Sequence, residues 1–156
     1  KALKNFSGVQ RRLTKVFKKN KVEFYDDYAH HPTEIKVVLQ GIKQVFNKYE
    51  KVCIFQPHRI SRLKDLRKEF TYAFKDADTV VLCPVFTAGE KIKLGFNYAD
   101  FAKKIIKNSD VRLFMINNKN ELAKYMKQNT YGKKIVVGMG AGSISSWIKD
   151  LPNLMK

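Results

Sequence analysis

Cysteine is scarce in this sequence, and no stretch of it is long and apolar enough to cross a membrane. The two cysteines, Cys53 and Cys83, each lie in an apolar run without a second ligand at metal-binding spacing. We therefore expect two buried thiols rather than a disulfide or a metal pair. There is no run of about 18 apolar residues and no apolar secretory signal at the amino terminus. These absences predict a soluble, cytoplasmic chain that has no membrane partner.

Two nucleotide-binding fingerprints are also missing. No G-x-x-x-x-G-K-[ST] motif occurs, because the only Gly-Lys pair, Gly132-Lys133, is followed by another lysine. The glycines of residues 138–142 have the look of a dinucleotide loop. However, they follow the last predicted strand, and no acidic residue stands about 20 residues beyond them. The sequence therefore disfavours both a P-loop and an NAD site.

Acidic residues are few, and arginine is rarer still. The chain has 31 Lys and Arg against 14 Asp and Glu, which gives a net charge of +17 and favours a polyanionic partner. Only six of the basic residues are arginines, and base readout depends strongly on arginine. Stand-alone binding of nucleic acid or another polyanion is therefore only the alternative function. The close pairs Arg11/Arg12 and Arg59/Arg62 are a sharper signal than the total charge.

The apolar residues that are present predict an α/β fold. The chain of 156 residues is 44% hydrophobic, enough for one domain with a layered core. Two apolar runs joined at residues 18–20 predict an antiparallel hairpin, and four later apolar strands alternate with amphipathic helices. Such alternation is typical of a parallel sheet covered on both faces. We expect a three-layer, Rossmann-like sheet of about six strands, mostly parallel with the N-terminal strand antiparallel, in a single domain over residues 1–156.

Polar residues and glycines follow most of the predicted strands. They are Asp26, Asp27, Tyr28 and His30 after the second strand, His58, Arg59 and Arg62 after the third, Thr87, Gly89 and Glu90 after the fourth, and Gly140 and Gly142 after the sixth. Because the carboxyl ends of parallel strands share one edge, these residues are expected to converge on one crevice. Arginine and histidine at helix starts predict a carboxylate or phosphate ligand. Asp27 is placed to hydrogen-bond hydroxyl groups, as of a ribose.

Each of these signals has a structural alternative. Asp26-Asp27 can simply supply negative charge near a helix start, and His30-His31 can be a capping pair with one ring packed. Arg59 and Arg62 can belong to a solvated helix face, and Arg11-Arg12 can protect an edge strand. The residues by themselves leave these alternatives open.

Several motifs follow one another along nearly the whole chain. They are Phe6-x-Gly8-x-x-Arg11-Arg12, Asp26-Asp27-Tyr28-Ala29-His30-His31-Pro32-Thr33-Glu34, Phe55-Gln56-Pro57-His58-Arg59-x-Ser61-Arg62, Ala88-Gly89-Glu90 and Gly140-Ala141-Gly142-x-Ile144. This series closely resembles the C-terminal domain of the Mur ligase family. Within the family, the double histidine before Pro32-Thr33-Glu34 resembles the members that add L-alanine rather than later residues of the peptide.

The resemblance implies an ATP-dependent, ADP-forming ligase of peptidoglycan synthesis. Its partners would be L-alanine, ATP and UDP-N-acetylmuramate, whose carboxylate becomes an acyl phosphate that the alanine amine attacks, with Mg²⁺ offsetting phosphate charge. In this family an N-terminal domain holds the UDP-sugar, and a central P-loop domain holds most of the ATP and Mg²⁺. Both domains are expected to be absent from this chain, so the chain alone is expected to fold without catalysing the reaction.

The resemblance also implies roles for individual residues. Arg12 is expected to reach the nucleotide phosphates, and Asp27 to lie at the ribose and the domain hinge. Arg59 and Arg62 are expected to clamp the alanine carboxylate in a pocket that Tyr28, His30 and His58 line. No catalytic residue and no metal ligand is assigned to this domain. Two departures from the family pattern, Ile60 and residues 143–146, leave the detail of the last loop open.

Overall fold

The computed structural model of the chain describes residues 12–156, which form a six-stranded mixed sheet. The strands are β1 (Thr14–Lys19), β2 (Val22–Asp27), β3 (Glu50–Phe55), β4 (Thr79–Leu82), β5 (Arg112–Met115) and β6 (Lys134–Met139). Their order across the sheet is β1-β2-β6-β3-β4-β5. Strand β1 pairs antiparallel with β2, and the other neighbours pair in parallel. The predicted hairpin and mostly parallel sheet are therefore confirmed.

Helices cover both faces of this sheet. They are α1 (Pro32–Val45), α2 (Ile60–Asp65), α3 (Arg67–Thr71), α4 (Tyr98–Ser109), α5 (Lys119–Gln128) and α6 (Ile144–Leu154). Buried residues of α1 to α4 pack into one core, and those of α5 and α6 pack into a second core on the opposite face. The predicted three-layer arrangement is confirmed.

The central strands are buried on both faces, which explains their unbroken apolar runs. Along β3, Cys53 and Phe55 point into the first core, whereas Val52 and Ile54 point into the second. Cys53 and Cys83 are free thiols, as predicted, and neither is exposed. Burial raises the pKa of both thiols, so each behaves as a small apolar side chain.

After β3 the sequence predicts one helix with apolar positions Leu63, Leu66, Phe70, Ala73 and Phe74, whereas the structure divides this segment into α2 and α3. Leu66 ends α2 with φ −111° and ψ 19° and directly precedes α3. The predicted apolar face nevertheless packs inward, because Leu63, Phe70, Ala73 and Phe74 are buried in the first core and Leu66 is partly buried against it. Helical spacing thus identified the buried side chains but not the break in the backbone.

Strand β6 lies between β2 and β3, and its register sets up the site. Met139 is level with Asp27 on one side and with Phe55 on the other. The chain therefore leaves three adjacent strands at one level, and the loops that follow them start side by side.

His31 caps helix α1 and is thus the structural alternative that the sequence left open for the histidine pair. The His31 side chain accepts a hydrogen bond from the Thr33 N–H, and Glu34 accepts one from the His31 N–H at 3.0 Å, which completes a capping box. Pro32 occupies the first helical position, as its fixed φ favours. His31 thus fixes the start of α1.

None of the helices within residues 12–156 is long and apolar enough to cross a membrane.

Candidate functional site

Two clefts lie at the carboxyl edge of the sheet. The first, the Asp27 cleft, has a volume of about 210 Å³ and is lined by Arg12, Asp27, Tyr28, Ala29, Thr33, Glu34, Val37 and Val38. The second, the Arg59 cleft, has a volume of about 340 Å³ and is lined by Arg59, Ser61, Arg62, Asp65 and Leu66. Of the residues predicted to form one crevice, Asp27 and Tyr28 line the first cleft, and Arg59 and Arg62 line the second. The others, among them His30, His58 and Glu90, line neither.

A row of three rings connects the two clefts. The Tyr28 ring meets the His30 ring edge-on at 4.9 Å between centroids, and the His30 ring lies 5.9 Å from that of His58. The Nδ1 atom of His30 is 2.8 Å from the Tyr28 carbonyl oxygen, which orients the imidazole. Tyr28 is itself exposed. The structure thus brings together the three ring-bearing residues that the sequence assigned to one pocket.

Asp27 is buried and holds two backbone segments together. Its Oδ1 accepts a hydrogen bond from the Ala29 N–H at 2.7 Å, and its Oδ2 accepts one from the Leu13 N–H at 2.8 Å. Burial raises the pKa of the Asp27 carboxyl, although both hydrogen bonds and the nearby Arg12 guanidinium act to lower it. Asp27 therefore joins the start of β1 to the loop before α1, and it is 4% exposed.

Asp26 points away from both clefts. It is buried, and its Oδ2 accepts a hydrogen bond from the Ser145 hydroxyl at 2.7 Å. This contact ties the end of β2 to the first turn of α6. The two neighbouring carboxylates therefore have different roles, because successive side chains of a strand point to opposite faces.

The partly buried His58 side chain contacts the Phe86 ring and the Arg62 guanidinium. Its ring stacks on Phe86, with centroids 5.6 Å apart and planes 11° apart. The Nη1 atom of Arg62 lies 3.3 Å from His58 Nδ1 and donates to the His58 carbonyl oxygen at 3.1 Å. Burial is the main cause that lowers the pKa of His58, followed by Arg62, His30 and Arg59, while Glu90 acts in the opposite direction.

Arg59 stands in a backbone conformation that few residues other than glycine adopt. Its φ is 73° and its ψ is 131°, and the structure holds it by a 2.8 Å hydrogen bond from its N–H to the Phe86 carbonyl oxygen. The side chain is half exposed, and its Nη1 lies 3.7 Å from Glu90 Oε1. The guanidinium therefore faces the Arg59 cleft from a fixed backbone position.

Gly140 and Gly142, which follow β6, pack so closely against Gln56 and Phe86 that a side chain would not fit. A Cβ at Gly140 would come within 2.8 Å of the Gln56 carbonyl oxygen, and a Cβ at Gly142 would overlap the Phe86 ring. Gln56 is buried; it donates to Ser143 Oγ at 2.9 Å and accepts from the Ile144 N–H at 3.0 Å. The close packing of Gln56 and Phe86 therefore explains the glycines without a bound phosphate.

An apolar groove continues from the Asp27 cleft along the outer side of α1. It shares Arg12 and Asp27 with that cleft, has a volume of about 510 Å³, and is bordered by the exposed side chains of Leu13, Val37 and Val45. Arg12 thus stands where a polar cleft meets an apolar one. Arg11, Gly8 and Phe6, which the sequence placed in the same motif, lie outside the described residues.

Sequence reasoning missed three residues that shape the site. The Phe86 ring stacks on the His58 ring. Gln56 accepts a hydrogen bond from the first residue of α6, and Ser61 in α2 donates one to Glu90. Gln56 and Ser61 stand inside the Phe55–Arg62 motif, which was the available signal. Phe86 lies in a predicted loop, where nothing distinguishes it from a surface aromatic.

No metal step is assigned to these residues. Within residues 12–156, no group of three or more His, Cys, Asp or Glu side chains is arranged to hold a metal ion. The donors at this edge are mainly arginines, ring nitrogens and backbone N–H groups. They suit an anion rather than a cation.

Comparison with known proteins identifies the family. Residues 11–142 match the family model described as Mur ligase, glutamate ligase domain. A UDP-N-acetylmuramate–L-alanine ligase from Pelagibacter ubique is 62% identical over 155 residues, which cover 99% of this chain and 33% of that protein. The chain thus spans about a third of the length of the curated relatives it matches.

Solved structures agree with this match. The UDP-N-acetylmuramate–alanine ligase from Thermotoga maritima is 27% identical, with a TM-score of 0.69 over 97% of this chain and 31% of that one. A murein peptide ligase from Psychrobacter arcticus, 19% identical, shares the fold with a TM-score of 0.78 over 99% of this chain and 32% of its own. The chain therefore belongs to the Mur ligase family.

Proposed function

We propose that this chain is the C-terminal domain of an enzyme that joins L-alanine to UDP-N-acetylmuramate with hydrolysis of ATP to ADP and phosphate. The observation that carries the proposal is the 62% identity, over 99% of the chain, to a relative with that name. The reaction forms an amide by way of an acyl phosphate and belongs to peptidoglycan synthesis in the cytoplasm.

The Arg59 cleft is the proposed site of the alanine carboxylate. Arg59 and Arg62 both line it, and two guanidinium groups can bind a carboxylate through charge-assisted hydrogen bonds. The Arg59 side chain is half exposed, and its Nη1 is 3.7 Å from Glu90 Oε1, which is beyond hydrogen-bond distance, so its donors can reach a ligand. His58, His30 and Tyr28 then lead from this cleft toward the nucleotide and are proposed to border the bound amino acid.

The Asp27 cleft is the proposed nucleotide side of the domain. Arg12 is exposed there and would face the phosphates, while the carboxylate of Asp27, after its two backbone hydrogen bonds, still has lone pairs for a ribose hydroxyl. The adjoining apolar groove supports an approach of the central domain of the same enzyme on this side. Mg²⁺ would offset phosphate charge, held mainly by that other domain.

The test is an assay of the full-length enzyme. Phosphate release should require UDP-N-acetylmuramate, L-alanine and ATP together, and the product should be the alanyl amide by mass spectrometry. The 156-residue chain alone should release no phosphate above a buffer control, because the P-loop that binds the β- and γ-phosphates is missing from its sequence. Phosphate release that does not depend on alanine would contradict the proposed substrate.

The basic composition led to an alternative hypothesis, that the chain binds nucleic acid or another polyanion. The family match gives no support to this hypothesis. A gel shift with duplex and single-stranded DNA over a range of salt concentrations separates the two functions. A protein that contacts many phosphates loses affinity steeply as salt rises. We expect weak retardation at low salt only, and salt-dependent binding at physiological ionic strength would favour the alternative.

A further inference from the structure

Glu90 lies on the long connection between β4 and α4 and reaches back to the start of α2. Its Oε2 accepts a hydrogen bond from the Ser61 N–H at 3.0 Å, and its Oε1 accepts one from the Ser61 hydroxyl at 2.6 Å. The hydrogen bonds with Ser61 are the main cause that lowers the pKa of the Glu90 carboxyl. A charged Glu90 is therefore anchored to α2 by two hydrogen bonds.

Helix α2 needs this acceptor from elsewhere in the chain. Its N-cap is Arg59, whose side chain makes no capping hydrogen bond. The first N–H groups of a helix have no partner within the helix, and an aspartate, asparagine, serine or threonine usually supplies one. Glu90 takes that role at Ser61, so a loop residue distant in sequence completes the helix start that carries Arg59.

Glu90 also lies close to the Arg59 side chain. The Arg59 Nη1 to Glu90 Oε1 distance of 3.7 Å is that of an ion pair rather than a hydrogen bond. Glu90 therefore lies beside the guanidinium without occupying its hydrogen-bond donors. The same loop is held a second time at Phe86, whose carbonyl oxygen accepts from the Arg59 N–H at 2.8 Å.

We propose that Glu90 is a positioning residue for the amino-acid substrate. It fixes Ser61 and the first turn of α2, and through them the direction in which Arg59 presents its guanidinium to the substrate carboxylate. This role rests on the proposed function, since it assigns the Arg59 cleft to that carboxylate. Glu90 touches neither the substrate nor the reacting atoms.

The two hydrogen bonds with Ser61 anchor Glu90 more strongly than the longer ion pair with Arg59 does. Their lengths lie in the normal hydrogen-bond range, whereas an ion pair at 3.7 Å with a half-exposed arginine contributes little. A glutamine can restore both Ser61 contacts, because its oxygen accepts from the N–H and its amide donates to the hydroxyl oxygen. Glu90→Gln therefore separates anchoring from charge, and Glu90→Ala removes both.

The kinetic experiment uses full-length enzyme with alanine and ATP varied in turn. Glu90→Ala should raise the KM for L-alanine by about tenfold with a change of less than about threefold in kcat and in the KM for ATP. Glu90→Gln should stay within about threefold of wild type in all three. Equal losses in the alanine and ATP parameters, or no recovery with glutamine, would overturn the positioning role.

A matched control exists at another helix start. Glu121 accepts a hydrogen bond from the Asn117 N–H at 2.7 Å and one from the Asn117 side-chain amide at 3.4 Å, beside the first turn of α5. Glu121→Ala removes comparable contacts at residues that line neither cleft. It should leave the KM for alanine unchanged, and an equal rise in that KM would show that general loosening causes the Glu90 effect.

A second measurement does not depend on activity. Hydrogen exchange followed by mass spectrometry on the same full-length proteins should show faster deuterium uptake in Glu90→Ala at residues 58–66 and 84–97 only. Glu90→Gln should show wild-type uptake there. If wild type lacks alanine-dependent activity, the proposed function fails while this exchange pattern still decides whether Glu90 holds α2. Unchanged uptake in Glu90→Ala would refute the anchoring.

Discussion

The Phe86 ring stacks on the His58 ring with centroids 5.6 Å apart, and atoms of the same Phe86 side chain fill the space in which a Cβ of Gly142 would stand. Phe86 thus transmits the position of the loop after β6 to a histidine in the loop after β3. The stacked imidazole also lies beside Arg62, Arg59 and His30, so several features of the site can be tested through this one contact.

The first prediction concerns the pH dependence of stability. The pKa of His58 is lowered in the folded state, so the unfolded chain binds its proton at higher pH than the folded chain does. Stability from His58 is therefore complete above about pH 6.5, the ordinary histidine value, and is lost as pH falls through the folded pKa. Thermal midpoints of wild type and His58→Gln across this range should show a smaller acid loss in the variant. Parallel curves would contradict the assignment.

The second prediction compares two glycines. Gly142→Ala should destabilise the chain by about 1 to 3 kcal/mol, because the new methyl group overlaps the Phe86 ring. Gly41→Ala should stabilise it by about 0.5 to 1 kcal/mol, since Gly41 lies within α1 and nothing stands within 4 Å of its added Cβ. Urea unfolding measures both changes, and equal signs would show that the packing beside Gly142 is wrong.

The third prediction concerns Asp27. From the sequence alone, Asp27 is expected at the surface, where its replacement by asparagine should lower turnover of the full enzyme and leave the thermal midpoint of the isolated domain within a few degrees. The structure instead buries the carboxylate between the Leu13 and Ala29 N–H groups, so an amide must turn an N–H toward one of two donors. Asp27→Asn should therefore cost about 1 to 3 kcal/mol of unfolding free energy.

The control for Asp27 is Asp78. Its exposed carboxylate accepts from a single backbone N–H, that of Lys51 at 2.7 Å. Asp78→Asn retains an oxygen for that bond and should cost less than about 0.5 kcal/mol. Denaturant titrations of both variants give the comparison, and a harmless Asp27→Asn would mean that the Leu13 contact contributes little.

The fourth prediction tests the proposed carboxylate clamp. Arg59→Ala in the full-length enzyme should lower kcat/KM for L-alanine by roughly 10- to 100-fold, with a smaller effect on the KM for ATP. Arg59→Lys should recover only part of this loss, because an ammonium group lacks the two-donor fork. Arg112→Ala, which removes an exposed ion pair with Glu50, serves as the control and should change neither parameter. Unchanged alanine kinetics in Arg59→Ala would reject the clamp.

The strands and helices could be predicted from the sequence because burial produces a recognisable pattern of apolar residues along the chain. A strand covered on both faces, such as Val52–Phe55, is apolar at every position, and α1 repeats its apolar side chains at helical spacing. The place of β6 between β2 and β3 leaves no comparable local trace. It is a choice among strand orders, which only contacts between distant segments determine.

The site was less predictable for the same reason. Residue types located the carboxyl edge, because Asp27 ends one strand and His58 and Arg59 follow the next strand along the chain. They did not reveal that Asp26 and Asp27 serve different segments, or that His31 caps while His30 meets another ring. Those outcomes depend on which partner lies opposite each side chain, as Phe86 does for His58.

The double contact of Asp27 also has a mechanical consequence. Along the chain, Leu13 and Ala29 are separated by the whole β1–β2 hairpin, yet through the Asp27 carboxylate only two hydrogen bonds lie between their N–H groups. We therefore expect a displacement of the Leu13 backbone to act on the loop that carries Tyr28 and His30 through this carboxylate as well as through the sheet. The position of Leu13 and the shape of the passage lined by those two rings are then coupled through a single side chain.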